Sequence, residues 1–345
     1  MSDLLTRLRS IDTAARVDRD HPALAEWQGA DVAFASSGLR LEHRYYQAVS
    51  ELLDCIRPTE VTGPILHEGG VYHGCWLEST GTINAELMTR FLPATAAETY
   101  AAFATHQRPD GLIPYKITQA GPAFAQIQLV TPLARSVWND YCLNGRNRAF
   151  LARMFAAMTR YDAWLAKYRD TRKSGGVEAF CTYDTGHDLS SRFWHIPDSP
   201  FGNDPTRYDP DNPVLPFIAP DLTANVICQR LYLARIAAEL GEEPQPWRDK
   251  ADASLQALFT QCYAPDDHFF YDRDRNDNLV RVQSDVLLRV LACEIGDDAF
   301  FTKALSRHLL NTSKFFAKYP FTSIALDDPR FDPNFGQNSW SGPTN

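Results

Sequence analysis

The chain has 345 residues, of which 44% are hydrophobic and 22% charged, enough for one large globular domain or two ordinary ones. Its net charge of −9 argues against nucleic acid and anionic membrane as main partners. Neutral or locally neutralised small-molecule substrates fit that balance better.

Residues 1–38 read as a lead-in segment, and Met1-Ser2-Asp3-Leu4-Leu5 lacks the basic start and apolar core of a signal peptide. With no apolar run of membrane-spanning length, the expected location is the cytoplasm. The seven cysteines are scattered, odd in number and without a C-x-x-C pair, so they read as buried free thiols rather than a disulfide framework or zinc site. From residue 40 onward, helical periodicity dominates. It predicts helices over 40–56, 83–92, 95–107, 132–144, 147–169, 221–240, 246–262, 283–294 and 297–311. In 147–169 the apolar stripe is Phe150, Met154, Met158, Tyr161 and Leu165. The helix over 221–240 opens after Pro220-Asp221 and stops at Gly241. Asp272-Arg273-Asp274-Arg275-Asn276-Asp277-Asn278 mimics the start of a calcium loop, but Asp277 stands where glycine is needed and Gln283 where glutamate is needed. A solvated turn is the better reading, and no metal or cofactor is expected.

Short and long connections alternate. Those after 92, 144, 240 and 294 are a few residues each, whereas those after 56, 107, 169, 262 and 311 are far above the usual helix–helix link. Each short link makes an antiparallel hairpin, so the long loops should emerge at one end. The expected fold is all-α, a six-hairpin (α/α) toroid with a central pit rimmed by long loops. The count gives nine helices, and Asn338-Ser339-Trp340-Ser341-Gly342-Pro343 reads as the start of a tenth. The expectation is therefore a toroid incomplete at its C-terminus, with residues 39–345 forming a partial catalytic domain.

The segment 183–194, Tyr-Asp-Thr-Gly-His-Asp-Leu-Ser-Ser-Arg-Phe-Trp, lies in the longest connection. It is too polar for a core and too aromatic for a solvated linker. Flat rings for pyranose faces, carboxylates and an arginine for hydroxyls, and one acid for proton transfer are the ingredients of a sugar site. The alternative is an ordered loop whose aromatics cover the end of the helices.

The string Gly186-His187-Asp188-Leu189-Ser190-Ser191-Arg192-Phe193 resembles the loop of the six-hairpin α-glycosidases, which include trehalases, the processing α-glucosidase I group and mannosylglycerate- or glucosylglycerate-hydrolase-like enzymes. Further similar strings follow in order over about 270 residues: Trp76-Leu77-Glu78-Ser79, Gly111-Leu112-Ile113-Pro114, Thr131-Pro132-Leu133, Pro220-Asp221-Leu222-Thr223-Ala224, Phe269-Phe270-Tyr271-Asp272 and Asn338–Pro343. The resemblance implies an inverting glycoside hydrolase acting on a small α-linked glycoside or sugar conjugate. It places the general acid on Asp188, where burial should raise the carboxyl pKa. It places the general base between an eleventh and a twelfth helix, beyond this chain. His187 stands where the family commonly has Trp. Trp76, Glu78, Tyr183, Asp184, His187, Arg192, Gln337 and Trp340 are the candidate substrate contacts. For Arg192 a loop-fixing salt bridge is an equal alternative, and for Asp184 a structural role. A sugar epimerase with paired bases at His187 and His195, a polysaccharide lyase and a non-catalytic sugar binder are the rival readings.

Overall fold

The computed structural model describes residues 2–17, 20–80, 84, 87–196, 201–334 and 340–343. Helices α1 (Ser2–Ser10), α2 (Leu24–Gly29) and α3 (Leu39–Asp54) are followed by the single turns α4 (Leu77–Ser79) and α5 (Thr89–Phe91). Then come α6 (Pro93–Thr105), α7 (Leu133–Leu143), α8 (Arg148–Tyr168), α9 (Pro220–Leu240), α10 (Gln245–Ala257), α11 (Val286–Ala292) and α12 (Asp298–Ala304). The periodicity thus locates the long helices to within a few residues. It overextends the last two predicted helices: α11 starts only at Val286, and α12 gives way to a wider π-type turn over Leu305–Leu309. Part of the helix expected over 83–92 lies outside the described residues.

Short antiparallel strands occupy the long connections. They are β1 (Ile56–Arg57), β2 (Ile65–Leu66), β3 (Cys75–Trp76), β4 (Lys116–Thr118), β5 (Gly121–Ala123), β6 (Glu178–Ala179), β7 (Phe217–Ile218), β8 (Tyr263–Ala264), β9 (Phe269–Phe270), β10 (Asp272–Arg273) and β11 (Leu279–Val280). At two or three residues each, they are too short to show the alternation that a sequence reading relies on.

Two compact units divide the chain. The first comprises residues 1–106, 116–123 and 136–154. Its core gathers Leu53, Leu92, Tyr100 and Phe103. Here the expected lead-in is structured. Trp27 of α2 packs on Phe91 with ring centroids 5.2 Å apart, and Glu26 caps the start of α6 by accepting from Ala94 N at 2.6 Å and Thr95 Oγ1 at 2.7 Å. The sheet β3-β4-β5 pairs Trp76 with Lys116 and Lys116 with Ala123.

The second unit comprises residues 107–115, 124–135 and 155–345. Gly241, at φ +82°, closes α9 and lets Glu242 N donate to Ala237 O at 2.8 Å. Arg230 of α9 ties α8 and α10 together, reaching Asp162 Oδ1 and Ser254 Oγ, each at 2.6 Å. The sheet β11-β10-β7-β6 links the connections after α8 and after α10, with Glu178 paired to Ile218 and Ile218 to Arg273. That register brings Asp272 beside the segment carrying the candidate site. Gly111 opens the Gly-Leu-Ile-Pro string at φ +100°, and a Cβ there would lie 2.5 Å from the Arg160 carbonyl oxygen. Only glycine fits that approach.

Candidate active site

The segment 178–194 is fixed from below by two buried ion pairs. In the first, Arg169 at the end of α8 meets Asp184, and both are fully buried. Asp184 also accepts from Gln128 N and Phe180 N, each at 2.8 Å. Burial raises its carboxyl and Arg169 opposes that. Upstream, Glu178 accepts from Thr171 N at 2.8 Å and Arg172 N at 3.0 Å. The oxygens of Asp184 thus serve the loop, as in the structural role weighed for it.

The second pair is a junction around Arg192, which is 1% exposed. Its Nε donates to Asp272 Oδ2 at 2.8 Å, and its Nη2 to Asp272 Oδ1 at 2.7 Å and Asp221 Oδ1 at 3.0 Å. Its Nη1 donates to Asp221 Oδ2 at 2.8 Å and His187 Nδ1 at 2.6 Å. Five bonds take all five guanidinium hydrogens. In this structure its donors all serve the loop-fixing salt bridge, the alternative weighed beside substrate contact. Burial works to raise the Asp221 carboxyl, but Arg192, with His187 and Arg289, outweighs it and holds the group well below the usual carboxylate range.

His187 is likewise not a stacking ring but a buried connector. An arginine only donates, so Nδ1 is the acceptor. The neutral ring then carries its proton on Nε2 and donates to Asp285 Oδ2 at 3.1 Å. Burial, then Arg289, pushes the His187 pKa down, against the pull of Asp285. Asp285 stands at the N-cap of α11, yet its carboxylate makes no capping bond and turns to His187 instead. The edge of this network is Trp340, its ring 5.1 Å from His187 and 5.8 Å from the Arg289 guanidinium. Its neighbour Ser341 accepts from Ser191 N at 3.0 Å, joining 340–343 to the loop.

Above this buried base runs a turn. Ser190 N donates to His187 O at 3.0 Å, so Asp188 and Leu189 are its two central residues. Gly186 (φ +75°) and Leu189 (φ +58°) are both left-handed. For leucine that conformation costs roughly 1–2 kcal/mol, which the surrounding bonds must overcome. Such strain concentrates where a side chain has to be aimed. Asp188 is half-buried on this turn, as is Tyr183.

Among the other expected contacts, Trp76 and Glu78 are half-buried in the first unit. Trp76 has the Lys116 ammonium 4.3 Å from its ring centre and Tyr72 edge-on at 6.3 Å. Gln337 lies outside the described residues. Sequence reasoning assigned no role to Asp221 and Asp272, although both stand in the similar strings. Asp285 and Arg289 had no sequence signal at all.

Residues 72–344, more than half of the chain, match the family described as the mannosylglycerate hydrolase MGH1-like glycoside hydrolase domain, and the chain belongs to it. No curated protein sequence matches. Among solved structures, the chain is similar to a family 63 mannosylglycerate hydrolase from Thermus thermophilus in complex with Tris, with 15% identity and a TM-score of 0.70. That likeness covers 82% of this chain and 81% of that one. The neutral trehalase of Saccharomyces cerevisiae follows at 11% identity and TM-score 0.57, covering 76% of this chain and 57% of that one. The rhamnosidase from Klebsiella oxytoca with rhamnose bound gives 12% and 0.54, over 79% and 47%. At these identities the likeness shows the fold, that of the (α/α)6 glycosidases.

The family decides for hydrolysis over the epimerase and lyase readings. Geometry agrees for the histidines: both nitrogens of His187 are engaged in the core, while His195 is exposed.

Proposed function

We propose that this chain is an inverting hydrolase of a small α-linked glycoside or sugar conjugate, with Asp188 as the general acid. The observation that carries the reading is the place of Asp188 at a central position of the turn, flanked by left-handed Gly186 and Leu189. Glu178, Asp184, Asp221 and Asp272 are each bonded to backbone N–H groups or a guanidinium that fixes the loop. They support the strained turn on which Asp188 sits half-buried. A proton donor needs a setting held firmly enough to meet the departing oxygen. In an inverting reaction a second carboxylate about 6.5–9.5 Å away activates water. Tyr183 and Trp340 offer rings for the sugar face, and Gln337 a hydroxyl partner. The long connections of a six-hairpin toroid enclose the site in this reading, and the cytoplasm is its compartment. Mannosylglycerate, named for the Thermus enzyme, is the first substrate to try.

The test is the pair Asp188→Asn and wild type on two substrates. Hydrolysis of a natural glycoside should fall by at least about 10²–10⁴-fold, the usual contribution of a general acid. A glycosyl fluoride needs little protonation and should lose far less. Proton NMR of the first-formed sugar should show the anomer opposite to the substrate's. Equal losses on both substrates would remove Asp188 from the role of acid, and a retained anomer would remove the inverting mechanism.

A further inference from the structure

A groove of about 700 Å³ runs between α6, α7 and the first turns of α8, within the size range of small-molecule sites. Every residue lining it belongs to the first unit, and none to the candidate active site. One wall is a row of small side chains on a single face of α6, Ala94, Ala97 and Ala101. Ala149 and Phe150 line it from α8. Asp140 of α7 also lines the groove, although it is only 3% exposed. Its Oδ1 accepts from Asn144 Nδ2 at 2.8 Å, and that amide is itself held, donating to Thr89 O at 3.0 Å. Among the described residues no hydrogen bond reaches Asp140 Oδ2, and no Lys, Arg or His pairs with the carboxylate. The other charged groups on the groove are Glu98 and Arg153. Arg153 turns toward the end of α6, its Nη2 donating to Thr105 Oγ1 at 2.5 Å and to Ala101 O at 3.5 Å, while Glu98 adds a second negative charge.

An ionised carboxylate in so enclosed a place is costly unless something pairs with it. A cation that carries both hydrogen-bond donors and an apolar tail meets the two halves of this groove. Its ammonium donates to the open oxygen of Asp140, and its methylenes leave water against alanine and phenylalanine. An anion would have Asp140 and Glu98 against it, and a neutral apolar molecule would leave the carboxylate uncompensated. We propose that this groove binds a small primary alkylammonium, its nitrogen at Asp140 Oδ2 and its chain along the alanine face of α6.

Butylammonium chloride is titrated into the full chain at pH 7.5 by calorimetry, with butan-1-ol as the neutral analogue of similar shape. The amine should bind saturably, and the alcohol at least about tenfold more weakly. Asp140→Asn keeps an oxygen for Asn144 and removes the charge, so it should weaken the amine by at least about tenfold. Ala97→Leu leaves the carboxylate in place but fills the groove, and should weaken the amine as well. That second variant keeps the test valid should Asp140→Asn fold poorly. The absence of saturable binding overturns the proposal, and so does equal affinity for amine and alcohol. Amine binding that survives either substitution unchanged overturns it too. Nα-acetyl-lysine amide binding at least about tenfold more tightly than butylammonium would replace the free amine with a lysine of a docked chain, and would likewise overturn it.

Discussion

Arg192 and Asp272 face each other as a two-pronged pair, Nε to Oδ2 at 2.8 Å and Nη2 to Oδ1 at 2.7 Å, with both side chains all but excluded from solvent. The pair joins the loop that carries Asp188 to β10, more than seventy residues away in the chain. Arg192→Ala would leave Asp272 and Asp221 as uncompensated buried charges. Removing one partner of a buried pair costs about 3–5 kcal/mol. We expect a loss of that order in urea unfolding, with activity falling as the loop loosens. Arg192→Lys should recover little of it, because an ammonium cannot match the planar fork. A loss below about 1 kcal/mol for the alanine variant would show that the junction is not what holds the loop.

His187 gives the site a pH dependence of its own. Its folded pKa is lowered, chiefly by burial, from the ordinary 6.5. Below about pH 6.5 the unfolded chain takes up a proton that the folded one refuses, so stability is present above that pH and lost as pH falls. Asp221 and Asp285, also lowered, add a second loss only at lower pH, as the unfolded chain's carboxyls begin to protonate. His187→Gln keeps an acceptor for Arg192 and a donor for Asp285 but does not titrate. Urea unfolding from pH 7 to pH 5 should therefore show a shallower loss in the variant than in the wild type. Parallel slopes would mean that His187 does not govern this part of the acid limb.

How much of this was legible in the sequence depends on the range of the interaction. Long helices were, because Phe150, Met154, Met158 and Tyr161 repeat within the helix they form. So was the segment 183–194, whose composition fits neither core nor linker. What could not be read was which polar side chains face inward. His187, Asp188 and Arg192 are within five residues of one another, yet two are buried connectors and one stands on the turn. That difference is made by Asp221, Asp272 and Asp285, each from a distant element, and by a left-handed Leu189 that no propensity favours. Two-residue strands such as β6 and β10, which set those meetings, leave no periodic trace.

The last prediction concerns the first unit, where Asp140 of α7 is 3% exposed. It accepts from Asn144 Nδ2 at 2.8 Å and lines a groove of about 700 Å³ with Glu98 and Arg153. Burial raises its carboxyl from 3.8 to about 6, with Asn144 and Thr89 opposing the rise only in part. The sign is opposite to that of His187. Between the two values the folded chain holds a proton that the unfolded chain has released. The favourable contribution is thus complete below about pH 4 and is lost as pH rises through 6. A shift of this size corresponds to roughly 2–3 kcal/mol forfeited at neutral pH. Asp140→Asn keeps an oxygen for Asn144 and carries no charge to bury. It should unfold at higher urea than the wild type at pH 7.5, and the advantage should shrink toward pH 4. A variant that is less stable at pH 7.5, or whose advantage does not change with pH, would show that Asp140 is ionised in the folded chain at little cost.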